Sequence, residues 1–251
     1  MRKSTYRKMA RQANQARAIE KKADFVTTTR KSAQRTSEHM LRLTTLTAVA
    51  LPLMWAAQRP PQPAYFSQAL ACGLWAIVVA FAALQMSNNA RLATAPRSIP
   101  LLWGLLLLTA GVHWLLGWTP GFLLAPVALN LMLAELLGWL IVAIDDTAQL
   151  QRWLTWLLAG ILLAALFNAF AALLQTVAPN WTNDSLIALP ASLGERAVGN
   201  LRQPNQLATL MVWGMVAATH LLWSQRLLWL AVCAALATAL LLSGSRTGVL
   251  S

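Results

Sequence analysis

A chain of 251 residues with 57% hydrophobic and only 11% charged side chains has too little polar surface to cover a soluble globule, so a bilayer is its natural solvent. The formal charge of +12 sits mostly at one end, because residues 1–42 hold 12 of the 20 Lys and Arg and 3 of the 8 acids, a local excess of +9. The two cysteines, Cys72 and Cys233, lie inside apolar runs and behave as small hydrophobes, so neither a disulfide framework nor a metal cluster is indicated.

Residues 1–40 read as a basic cytoplasmic tail. Arg and Lys are scattered among Ser, Thr, Gln and Ala without an apolar core, a pattern suited to lying on anionic lipid. Aromatics that would stack on bases are nearly absent, so nucleic acid is not an expected partner. No cleavable signal peptide is evident, and Met40 offers a second start just ahead of the first apolar run.

Residues 41–244 read as an all-α, polytopic transmembrane bundle of about seven helices, since a spanning helix needs about 20 mostly apolar residues. The first run, Leu41 to Ala57, meets Pro60, Pro61 and Pro63, which cannot continue a helix. The second covers Ala64 to Met86, and Ser87, Asn88, Asn89, Arg91 and Arg97 separate it from the third, Ile99 to Gly117. The fourth covers Phe122 to Ile144. Asp145, Asp146 and Arg152 mark the next loop, and the fifth run extends from Trp153 to Ala178. An outer polar loop, residues 179–203, precedes the last two runs, Pro204 to Trp223 and Leu227 to Leu242. Most of the 12 tryptophans fall near run ends, as an interfacial belt requires.

Orientation follows from the positive-inside bias. A cytoplasmic tail puts Arg91, Arg97, Arg152 and Arg226 on the same side, leaving Arg59, Arg196, Arg202 and Arg246 outside. Three of these outer arginines cluster, two in the loop before the sixth run and one after the seventh.

The loop reads Arg196-Ala-Val-Gly199-Asn200-Leu-Arg202-Gln203-Pro204-Asn205-Gln206, and the chain closes on Ser243-Gly244-Ser245-Arg246-Thr247-Gly248. The first stretch resembles the signature of bacterial protein glycosylation ligases, the O-oligosaccharyltransferases. The second resembles the Ser-Arg-Thr-Gly opening of the domain that they share with O-antigen ligases and polymerases, so residues 245–251 correspond to its start. The resemblance implies a multi-pass protein of the bacterial inner membrane with a periplasmic active face. It also implies transfer of oligosaccharide from an undecaprenyl diphosphate donor to Ser or Thr hydroxyls of an exported protein such as a pilin. No cofactor, nucleotide sugar or obligatory metal is expected. Family members continue into further helices and a periplasmic loop with a histidine proposed to activate the acceptor. The resemblance therefore covers an N-terminal half, expected to be inactive alone, with the catalytic base beyond Ser251.

The residue types suit that chemistry. Guanidinium groups pair with phosphate oxygens and never lose their charge, and a departing diphosphate gains charge that fixed cations stabilise. Arg196, Arg202 and Arg246 are the candidate donor-diphosphate ligands. Gly199 and Gly248 would admit close backbone approach, Pro204 would open the sixth helix, and Gln203, Asn205 and Ser245 would add neutral polar contacts. The plain alternative is that these arginines snorkel to headgroups and the Gly-Asn-Pro stretch is only a turn. Two other polar residues stand out. Glu135, inside the fourth run near Asn130, is costly in hydrocarbon and invites either a functional or a hydrogen-bonded structural role. His113, near the outer end of the third run, is a weaker candidate that more often packs at an interface.

Competing readings are a lipid A core O-antigen ligase or an O-antigen polymerase and, outside enzymes, a transporter in which Glu135 couples transport. A non-catalytic membrane scaffold is the third.

Overall fold

Each of the seven apolar runs lacks internal breakers for most of its length, and each holds a helix in the computed structural model. Residue 32 and residues 36–56, 65–86, 98–118, 121–142, 144, 147–189 and 196–245 are described. The chain divides into two units, Met1–Leu41 and Arg42–Ser251. Of the first, residues 32 and 36–41 are described, and they are helical; the rest of the expected tail lies outside the described residues.

In the second unit, residues 42–54 form α1. Then follow α2 (Tyr65–Met86), α3 (Ser98–Leu115), α4 (Gly121–Val142), α5 (Thr147–Val177), α6 (Pro204–Leu222) and α7 (Arg226–Leu242). Two single 3-10 turns, Pro179–Trp181 and Gly199–Leu201, lie between α5 and α6, and the described residues contain no strand. One expectation is corrected. Arg152, read as a loop residue, lies in the second turn of α5, because Thr147-Ala-Gln-Leu-Gln-Arg contains no breaker. Loss of hydropathy marks where a helix leaves an apolar environment, not where its hydrogen bonds stop.

Packing forms two groups. α4 packs on both α2 and α3, and Cys72 of α2 donates a hydrogen bond from its Sγ to Asn130 Oδ1 of α4 at 3.2 Å. α5, α6 and α7 pack on one another, with Leu162, Ala165, Leu207, Met211, Leu236 and Ala239 in their shared core. Small residues set the spacing. A Cβ on Gly214 of α6 would fall 2.5 Å from Ala165 Cβ of α5, and one on Gly160 of α5 would fall 2.9 Å from Val49 Cβ of α1. Such close approach brings the helix backbones together and supplies van der Waals contact between them.

Among the described residues, α5 is the one helix long and apolar enough to cross a membrane by length and composition. It is also the organising element of the site, since the turn Gly199–Leu201 packs on it and on α6.

Candidate functional site

Within the apolar sequence of α5, Asn168 and Gln175 are seven residues apart, so two helical turns bring both amides to the same face. Both are buried, and an unpaired amide there would be costly. The loop satisfies them. Asn168 Oδ1 accepts from Asn200 N at 2.8 Å, and Gln175 Oε1 accepts from Val198 N at 3.0 Å and Gly199 N at 2.9 Å. Gln175 Nε2 donates to the carbonyls of Ala188 (2.8 Å) and Gly199 (3.1 Å). The fully buried Asn200 adds a third amide: its Oδ1 accepts from Ala188 N at 2.9 Å, and its Nδ2 donates to Met54 O (2.7 Å) and Leu186 O (2.8 Å).

The same side chains close the end of α1. The last carbonyls of a helix have no partner within it. Here Asn168 Nδ2 donates to Leu53 O at 2.9 Å and Asn200 Nδ2 to Met54 O, and just beyond the helix Arg202 Nη2 donates to Ala56 O at 3.1 Å. With Asn168 Nδ2 also bound to Ala164 O at 3.0 Å, each of the three amides uses both of its donors and its acceptor. Satisfied buried networks of this kind fix a backbone rather than merely tether it.

Gly199 was expected to admit a phosphate, and the structure gives it a different close neighbour. Its φ is +58°, and a Cβ there would meet Asn168 Oδ1 at 2.8 Å and Leu207 Cδ1 at 3.0 Å. Its amide is engaged by Gln175. The glycine is required for the turn itself.

The two motif stretches meet. Ala197 N donates to Leu242 O at 3.0 Å, joining the loop to the end of α7. Gly244 then takes φ +55°, and a Cβ on it would lie 3.3 Å from Cγ, Cδ and Nε of Arg196, so the exposed Arg196 side chain passes over this glycine. Ser245 Oγ donates to Asn205 Oδ1 at 2.8 Å, linking the same segment to the first turn of α6. Pro204 occupies the first turn of α6 as expected, and Gln203 before it is extended (φ −142°, ψ 121°) without a side-chain cap. The C-terminal ends of α1, α5 and α7 and the N-terminal end of α6 thus gather around one loop.

Arg202 is placed at this loop with a partner that the motif does not contain. Its guanidinium pairs with Asp184 of the preceding turn. Arg246 and Gly248 lie outside the described residues. Glu135 is half-buried on α4, which packs on α2 and α3 rather than on the turn Gly199–Leu201. His113 is exposed at the end of α3, edge-on to Trp118 with ring centroids 5.2 Å apart. Neither is brought to the loop by a contact seen here.

Asn168, Gln175 and Asp184 escaped the sequence reading. The signal for the first two was present: two amides seven apart in an otherwise apolar helix need partners, and the neighbouring loop is the nearest supply.

Among the described residues, no group of three or more His, Cys, Asp or Glu could hold a metal ion. Comparison with curated proteins and with solved structures gives no match. Residues 197–223 match the family model of protein glycosylation ligases, a segment that holds Gly199, Arg202, Gln203, Pro204, Asn205 and all of α6 but neither Arg196 nor the Ser243–Gly248 stretch. Over that segment, the chain is similar to a protein glycosylation ligase.

Proposed function

We propose that the chain forms the donor-binding part of a polytopic inner-membrane glycosyltransferase that moves oligosaccharide from undecaprenyl diphosphate to Ser or Thr hydroxyls of an exported protein. The observation that carries this reading is the meeting of the two arginine-bearing stretches at one end of α5, α6 and α7. The family match to the loop and α6 supports it independently.

A membrane setting is supported by apolar side chains that face outward. Leu108 is 64% exposed, Phe170 54% and Leu227 85%, an arrangement costly in water and ordinary in lipid. We place the loop in the periplasm and the tail in the cytoplasm from the arginine bias between loops. A cysteine introduced at Asn183 is then labelled by an impermeant thiol reagent from outside, and one at Asn88 is not, in a background lacking Cys72 and Cys233. Labelling of position 88 from outside reverses the orientation and removes the site from the proposed donor.

In the transfer, the acceptor hydroxyl attacks the anomeric carbon, the bond to the diphosphate breaks, and the hydroxyl proton passes to a base that we place outside the described residues. Charge builds on the departing diphosphate. Arg196, Arg202 and Arg246 are its proposed ligands, with Ser245, Asn205 and the N-terminus of α6, which has no side-chain cap, as neutral contacts. A lost charge-assisted contact costs about 1.5–3 kcal/mol, or a rate loss of about ten-fold to more than a hundred-fold if it acts in the transition state. Replacing Arg196, Arg202 or Arg246 with Ala is expected to lower glycan transfer by that factor, and Lys to restore only part of it. Arg59→Ala, outside both stretches, changes little. Transfer is read as a mobility shift of a pilin-like acceptor, with the chain supplied alone and joined to the C-terminal half of a protein glycosylation ligase. Undiminished transfer in all three variants at equal protein level returns these arginines to lipid anchoring.

A further inference from the structure

The described residues contain two non-glycine residues with left-handed backbone, Asp184 (φ 64°) and Arg202 (φ 56°). They are the two partners of one ion pair, although they lie on separate turns of the loop. Aspartate adopts this conformation with modest penalty, but for arginine it is unusual and persists only where the surroundings impose it. The surroundings are visible: the amide network fixes the chain up to Asn200, and Pro204 fixes it from the other side.

Asp184 is itself held. Its backbone N donates to Ile187 O at 2.9 Å, its Oδ1 also accepts from Leu189 N at 3.1 Å, and Asn183 Oδ1 before it accepts from Ser185 N (3.1 Å) and Ser185 Oγ (2.6 Å). A fixed carboxylate therefore grips the guanidinium on one side. Nη2 carries both hydrogen bonds of that group, to Asp184 and to Ala56 O, while Nε is buried without a partner. Nη1 makes no hydrogen bond among the described residues, and 27% of the Arg202 side chain is exposed. Arg202 is thus held by its two Nη2 partners in one orientation while part of its side chain stays open.

We propose that Asp184 is a positioning residue that turns Arg202 to meet the diphosphate of the lipid-linked donor, a role that rests on the function proposed above. Arg196, over Gly244, and Arg202, at the entry to α6, stand at different points of the loop. A diphosphate has two linked phosphates, which two guanidinium groups suit better than one. The pairing carries a cost, because a carboxylate near the site repels an anion. A role in orientation and a merely adjacent charge therefore make opposite predictions. Removing Asp184 weakens binding in the first case and strengthens it in the second.

The test uses the full chain in lipid nanodiscs, titrated with a fluorescent isoprenyl diphosphate and with the monophosphate bearing the same tail. Asp184→Ala is expected to weaken diphosphate binding about ten-fold, as does Arg202→Ala, and the double variant to be no weaker than Arg202→Ala alone, as coupled residues require. Monophosphate affinity should change less than about two-fold, so that preference for the diphosphate collapses. Asp184→Asn, which keeps an acceptor oxygen for the guanidinium, should stay within about three-fold of the unaltered chain. Tighter diphosphate binding in Asp184→Ala, additive losses in the double variant, or an equal fall for both lipids with a lowered melting temperature overturns the proposal. Failure of the unaltered chain to prefer the diphosphate is a different result, and it overturns the donor-binding reading on which the proposal stands.

Discussion

Asn200→Leu is expected to destabilise the protein by roughly 3–5 kcal/mol, because it strands three backbone groups at once. The side chain is fully buried, and its amide holds Ala188 N, Met54 O and Leu186 O. Each buried group left without a partner costs about 1–3 kcal/mol, and leucine offers none of them a replacement. The end of α1 loses one of its two side-chain caps at the same time. Thermal unfolding of the detergent-solubilised protein reads the loss directly. Asn183→Ala is the comparison, an exposed turn residue whose removal should cost under about 1 kcal/mol. If the two variants melt within about a degree of each other, the network does not hold the loop in the way described.

Gly214→Leu is expected to part α5 from α6 and to abolish accumulation of folded protein. The Cβ alone would lie 2.5 Å from Ala165 Cβ and 3.1 Å from Leu236 Cδ1, closer than carbon atoms approach, and the leucine branches extend further into the same contact. Even Gly214→Ala should cost about 1–3 kcal/mol through overpacking, against a gain of at most about 1 kcal/mol in helix propensity. Gly111→Ala in α3 makes the contrast, since nothing lies within 4 Å of the position where its Cβ would stand. It should be neutral or stabilising. Adding Ala165→Gly to Gly214→Ala should restore part of the loss, because the second change reopens the space that the first one fills. A Gly214→Leu protein that accumulates and melts like the unaltered chain would show that α5 and α6 tolerate separation.

The positions of the helices were readable in the chain because apolar length is a one-dimensional property. The runs ending at Met86, beginning at Pro204 and ending at Leu242 coincide with the ends of α2, α6 and α7. Arg152 was misplaced because a polar residue marks an environment, whereas a helix continues until its backbone meets a breaker. Pro204 was assigned correctly for a local reason, since a ring that fixes φ and lacks an amide proton suits a first turn wherever the helix lies.

The site was half readable. The order of residues 196–206 and 243–248 marked two stretches, and the fold brings them together through Ala197, Arg196 over Gly244, and Ser245 on Asn205. What determines their geometry is not in either stretch. Asn168 lies 32 residues from Asn200 N and Gln175 lies 13–24 residues from the loop groups it holds, and Met54 and Ala56 are 146 residues from Asn200 and Arg202. Hydrogen bonds over such separations depend on how helices pack, and no local pattern encodes them. The sequence by itself determined a set of apolar helices and the chemical types gathered at one loop. Only the tertiary structure decided that Gly199 faces Asn168, that Asp184 grips Arg202, and that buried amides hold the loop, because a buried polar group must find its partner in space rather than along the chain.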